Sequence, residues 1–141
     1  MRYKVFLDTN ILLSGIFFEG NESKILDLVE LDLVTGEDVV DELWKIARKK
    51  LKYLKGRTFE IALAEIEKAL TDISIIPRTK YNHRLGDAES LITHRKDIPI
   101  LAAVLYAKPD YFLTGDAHFF TEKIKNIINV ATAKDFLTKI K

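Results

Sequence analysis

Val5-Phe6-Leu7-Asp8-Thr9-Asn10 sets a carboxylate at the end of an apolar run. Residues 3–7 read as a buried strand and residues 10–18 as the helix after it. A buried charge is expensive unless something compensates it. Asp8 could cap the following helix, or it could hold a cation. A second apolar run ends in the same way, at Tyr111-Phe112-Leu113-Thr114-Gly115-Asp116. Ligands of open parallel sheets collect outside the carboxyl ends of the strands. Two aspartates at equivalent strand ends are more than capping chemistry requires.

The stretches between and after these runs alternate strand and helix. Ser23 caps a helix running to about residue 31, residues 32–35 are a short strand, and Gly36 opens a long amphipathic helix, residues 37 to about 54. Gly56 breaks it, and Thr58 caps a helix over residues 59 to about 70. A strand over residues 72–76 stops at Pro77, and residues 78–86 read as a polar loop. Helices follow near 87–95 and 98–107, then the strand at 111–114. A helix at 121–127, a short strand at 128–130 and a closing helix at 134–140 complete the chain. This alternation predicts a three-layer α/β/α fold with a mainly parallel central sheet. Without an internal repeat or linker, residues 1–141 read as a single domain.

With 141 residues, 48% hydrophobic and 30% charged, the composition is that of a globular chain with one sizeable core. The formal charge of +1 gives no overall field that would announce a polyanionic partner. The absence of cysteine excludes disulfides, thiolate nucleophiles and Cys-ligated zinc together. The start has basic residues before apolar ones, but Asp8 and Asn10 interrupt the run as no signal peptide would. No stretch is apolar for long enough to span a membrane. A cytoplasmic protein is expected, and a composition rich in Lys, Glu and Ile without glutamine hints at a thermophilic source.

On the helix after the second strand, Val39, Val40, Leu43, Ile46 and Ala47 form the apolar face. At about 100° per residue Glu42 lies roughly 60° from Val39, at the edge of that face, while Asp41 lies roughly 160° away toward solvent. Glu42 is thus expected to lean into a crevice that Asp41 cannot reach. Asp97, in Arg95-Lys96-Asp97-Ile98-Pro99, suits an N-cap, yet a side chain at a helix start also faces the crevice. Asp87 reads as an N-cap after Gly86, and neither it nor Glu89 as a ligand. Converging carboxylates raise one another's pKa, and a hard divalent cation, Mg²⁺ or Mn²⁺, resolves the repulsion. Acid-only sites of this kind suit phosphodiester hydrolysis.

The segments LDTNILLSG, VVDELWKI and KDIPILAAVLYAKPDYFLTGD, in this order and spacing, resemble the PIN-domain ribonucleases over nearly the whole chain. That resemblance implies a parallel sheet between helices, an acidic cluster binding Mg²⁺ or Mn²⁺, and metal-dependent RNA cleavage. By position, Asp8, Glu42, Asp97 and Asp116 match the four acids of the family, with Asp8, Asp97 and Asp116 as metal ligands. Asn10 matches a residue that supports the first acid, and Thr114 one that lines the site. Many members carry another aspartate where this chain has His118. Imidazole is a poor Mg²⁺ ligand, so either a second metal site is weak, His118 meets phosphate, or it is a surface histidine.

Residues 48–57 carry six basic residues and no acid. Arg48, Lys49, Lys52 and Arg57 could grip phosphates, with Tyr53 to stack on a base, or simply form a solvated helix end. Residues 77–84 form a second basic stretch. Many relatives are toxins held inactive by an antitoxin protein, and many are homodimers; both partners are expectations here. A haloacid-dehalogenase-type phosphatase would need an acid where Asn10 stands. A receiver domain would need an acid pair on the first strand and a late lysine. The remaining alternative is a non-catalytic PIN relative that binds RNA or acts as a scaffold.

Overall fold

The computed structural model describes residues 2–50 and 58–140. Among these, five strands form one sheet: β1 (Tyr3–Leu7), β2 (Leu31–Gly36), β3 (Ser74–Ile76), β4 (Tyr111–Leu113) and β5 (Val130–Ala131). The spatial order is β3-β2-β1-β4-β5 and every pairing is parallel. The chain builds outward from β1 through β2 to β3, then crosses back to lay β4 on the other side of β1. The carboxyl ends of β1 and β4 are therefore the point where the winding reverses, the place where such sheets bind ligands.

The helices are α1 (Thr9–Phe17), α2 (Asn21–Leu26), α3 (Glu37–Lys49), α4 (Phe59–Leu70), α5 (Arg78–Tyr81), α6 (Leu85–Glu89), α7 (Asp97–Ala107), α8 (Glu122–Lys125) and α9 (Ala133–Lys139). They gather in two groups: α1 packs with α2, α3 and α4, while α7 packs with α5 and α6 and against β2. Strands apolar on both faces, such as Val5, Phe6 and Leu7 at 0% exposure, are what a sheet covered on both sides requires. Helix α7 is apolar all round and buried from Ile100 to Leu105, so it lies inside the molecule rather than on it. Edge-to-face contacts of Phe6 with Phe112 and of Phe112 with Phe119 tie β1, β4 and the turn after β4 into the same core.

Several boundaries differ from the sequence reading. The helix after Gly20 has Ser23 at its third position, where the hydroxyl accepts from the Gly20 N–H, and it ends at Leu26. Strand β2, Leu31–Gly36, is one residue longer at each end than the expected 32–35. Residues 78–86 are not a loop: α5, a 3₁₀ turn at Asn82–Arg84 and the start of α6 occupy them. One aromatic anchor organises this polar stretch. Tyr81 is fully buried, donates its hydroxyl to the Asp38 carboxylate and accepts from the Asp38 N–H at 3.0 Å. Arg78 pairs with Asp38 at 2.9 Å and Arg84 with Asp87 at 2.8 Å, so the second basic stretch spends its arginines on the fold. Asp87 lies inside α6 instead of capping it. Gly36 is where α7 comes closest to β2: a Cβ there would sit 2.9 Å from the Ala103 Cβ. The expected continuation of α3 to residue 54, with Lys52, Tyr53, Gly56 and Arg57, lies outside the described residues.

Candidate metal centre

Strand pairing builds the deep end of the site. Val5, Phe6 and Leu7 pair with Tyr111, Phe112 and Leu113, and the Asp8 N–H extends the ladder to the Leu113 carbonyl at 3.1 Å. Asp8 is thereby set beside the Thr114–Asp116 turn, only 4% exposed. Its Oδ1 accepts from the Thr9 N–H at 2.7 Å, the N-cap bond of α1. Its Oδ2 accepts from the Thr114 hydroxyl at 2.5 Å, and the same hydroxyl oxygen accepts from the Asp116 N–H at 3.0 Å. Asp8 does cap a helix, but capping occupies one oxygen and leaves the charge in poor solvent. Burial pushes its carboxyl up to about 6; the bonds from Thr114 and Thr9 oppose this, and the charges of Glu42 and Asp116 add to it.

Asn10 acts one step away from Asp8. Its side-chain oxygen accepts from the Gly115 N–H at 3.3 Å, joining the start of α1 to the Thr-Gly-Asp turn. Thr114 is fully buried and serves as the bridge between two acids rather than as a wall of the cleft.

Asp97 occupies the first position of α7, with Lys96 in the cap position and no side-chain cap bond. The N-cap reading is therefore corrected: the Asp97 carboxylate meets His118 Nδ1 at 3.0 Å. The same nitrogen lies 3.1 Å from Asp116 Oδ1, which also accepts the His118 N–H at 2.9 Å. An imidazole nitrogen facing two carboxylates carries the proton. Burial raises the Asp97 pKa, the Asp116 charge raises it further, and His118 works against both. His118 is thus no isolated surface histidine.

Glu42, Asp97, Asp116 and His118 open on a cleft of about 580 Å³ between α3 and the start of α7. Asp41 lines it as well and also faces the neighbouring hollow with Trp44 and Arg48, so the expectation that Asp41 cannot reach the crevice is overturned. On α3 the cleft runs past Asp38, Asp41, Glu42, Lys45 and Lys49, a stripe at three- and four-residue spacing that includes Asp41 and lies beside the apolar face instead of on it. Lys49 lines the cleft as well, whereas Arg48 lies on the adjacent hollow. Four charged or titratable lining residues have no counterpart in the sequence reading of the site: Asp38, Lys45, Lys96 and His94. The signals were the three- and seven-residue steps from Glu42 to Lys45 and Lys49, and the three-residue step from His94 to Asp97.

The donor set suits a hard cation. Oxygens of four carboxylates act on one another through space, as the causes acting on Asp8 and Asp97 record. Among the described residues no lysine or arginine pairs with any of the four. A buried carboxylate without a cationic partner is what a divalent ion would complete.

Comparison with known proteins identifies the family and the fold. The family model described as PIN domain matches residues 6–134. No curated protein sequence matches the chain. Among solved structures, VapBC2 from Rickettsia felis, bound to a DNA fragment from its promoter, is similar with a TM-score of 0.69 and 18% identity over 92% of this chain and 98% of that one. VapBC-1 from nontypeable Haemophilus influenzae is similar with a TM-score of 0.67 and 18% identity, over 93% and 98%. A toxin–antitoxin complex from Klebsiella pneumoniae gives 0.67 and 17%, over 92% and 97%. At such identities the likeness is one of fold.

Proposed function

The chain belongs to the PIN domain family, and from that premise we propose that it is a metal-dependent endoribonuclease of the toxin class, with Asp8, Glu42, Asp97 and Asp116 as its acidic site. The observation that carries this reading is the convergence on Asp8 of burial, Glu42 and Asp116, without a lysine or arginine among the described residues to offset them. Asp8, Asp97 and Asp116 would hold Mg²⁺ or Mn²⁺. When bound, such an ion supplies Lewis acidity toward a phosphodiester and makes water more acidic.

The chain's own residues do the rest. Thr114 fixes the orientation of Asp8 and of the Asp116 backbone together. Glu42, which lines the cleft from α3, would accept a proton from an attacking water. Lys45, Lys49 and Lys96 on the cleft wall draw phosphates toward acids that would otherwise repel them. Single-stranded RNA is the substrate this supports, an antitoxin and a second copy are its expected protein partners, and the cytoplasm its place of action. Phe18, just after α1, and Ile61, on α4, expose apolar surface that suits such a partner. Among the described residues, no helix is long and apolar enough to cross a membrane.

The test is cleavage of varied single-stranded RNAs by purified protein with Mn²⁺ or Mg²⁺, beside Asp8→Asn. Metal-dependent cleavage lost in Asp8→Asn with the fold retained supports the reading. Equal inactivity of both, with RNA binding by both, would leave the non-catalytic scaffold in its place.

A further inference from the structure

We propose that the hollow beside the cleft, walled by Trp44, is a subsite that stacks a nucleobase of the bound strand. The assignment rests on the RNA reading above and adds a base-contacting residue to it. The hollow, about 480 Å³, is lined by Asp41, Trp44, Lys45 and Arg48 of α3 and by Leu63 of α4. Asp41 and Lys45 also line the cleft that holds Glu42, Asp97 and Asp116, so the two spaces adjoin along one helix. Asp41, Trp44 and Arg48 follow at steps of three and four residues, a single row on α3. Trp44 stands two residues after Glu42, about 3 Å along the helix axis. A strand whose phosphate lies at the acids brings an adjacent base within reach of the indole.

Trp44 is half-buried and packs against the core, which anchors the indole while part of it lines the hollow. Every base has a π-face, and an anchored indole offers it a platform whatever its sequence. Lys45 and Arg48 are exposed, and among the described residues neither takes part in an ion pair. Their charges serve the phosphates that flank the stacked base. Asp41, on the border of the two spaces, can accept from a base amino group. A second copy of this chain could cover Trp44 and Leu63, but it would have to supply acids to the two cations as well. A nucleic-acid strand matches the ring and the charges together.

Trp44 is the chain's only tryptophan, so indole fluorescence reports this position alone. The Asp8→Asn chain, which spares RNA under the nuclease reading, is titrated in Mg²⁺ with a short oligoadenylate. Saturable quenching is expected, since a stacked base quenches indole emission. In a parallel titration followed by the anisotropy of an end-labelled strand, adding Trp44→Ala should weaken binding at least about fivefold, the low end for one stacked base. Trp44→Phe, which keeps a ring, should stay within about twofold of the Asp8→Asn parent. A strand of abasic nucleotides should bind the parent and Trp44→Ala alike, because only its phosphates remain. Thermal melts check folding, and Trp44→Leu, apolar but without a ring face, replaces an alanine variant that does not fold. Absence of binding or of quenching, unaltered affinity in Trp44→Ala, or an equal loss with the abasic strand overturns the assignment. A Trp44-dependent dimer that excludes RNA, seen by sedimentation, also overturns it and gives the hollow to a second copy. Cleavage by the unaltered chain is scored separately. Intact cleavage without the Trp44 effect strikes the subsite alone, and a Trp44 effect without cleavage strikes the nuclease reading alone.

Discussion

The two parts of the site are held in different ways. At the deep end, Asp8 is fixed by main chain and by a buried hydroxyl, between two strands that pair along their length. At the rim, Asp97 and Asp116 are held largely by His118, a half-exposed side chain that stands between them. The deep acid has partners that cannot leave without unfolding the sheet. The rim acids share one partner, a half-exposed side chain that can move without unfolding the sheet. A site built this way keeps its foundation rigid and its mouth exchangeable.

The contrast is tested most severely at Asp8. Asp8→Asn should lower metal-dependent RNA cleavage by at least about 10³-fold, roughly 4 kcal/mol in barrier, in initial-rate assays. The same variant should be more stable than the unaltered chain at neutral pH without metal. In the fold Asp8 keeps its proton to about pH 6, whereas an unfolded carboxyl loses it near 3.8. The folded state binds more protons in that window, so Asp8's contribution is complete below it and lost as pH rises through about 6. The loss is roughly 3 kcal/mol, read in denaturant melts as a difference in favour of Asp8→Asn that opens between pH 4 and pH 8. Added Mn²⁺ should shrink that difference at pH 8.

Thr114→Val removes the hydroxyl that joins the two acids while keeping the shape. Stability should fall by about 1–3 kcal/mol in the same melts, because the Asp116 N–H and one Asp8 oxygen lose a buried partner. The rim should respond most mildly. Lys49→Ala is expected to raise the KM for RNA a few-fold with kcat held. It should also flatten the salt dependence of binding by about 0.7 in log–log slope, the share of one phosphate contact on a single strand. A large fall in kcat from Lys49→Ala would break the division between foundation and mouth.

The deep end was legible in the sequence because its signals are local. Strands that end abruptly on Asp8 and Asp116 announce both the sheet and the side on which ligands bind. The rim was legible only in part, since its partners are set by tertiary placement. Nothing adjacent to Asp97 shows that its carboxylate leaves the helix start to meet His118, or that His94 stacks on the same ring. The stretch at 78–86 misled because its polar letters hide a single buried anchor, Tyr81 on Asp38. Asp41 misled because the cleft faces a polar stripe of α3 that includes it, and not the apolar face from which its angle was measured.

Asp8 and Thr114, joined by one hydrogen bond, stand 106 residues apart in the chain. During synthesis the amino-terminal strand therefore emerges long before the turn that completes its acid. A nascent chain has no assembled centre until the fourth strand has cleared the exit tunnel and docked. Under the proposed nuclease activity, this order would keep the unfinished molecule harmless to the message and the ribosome that are making it.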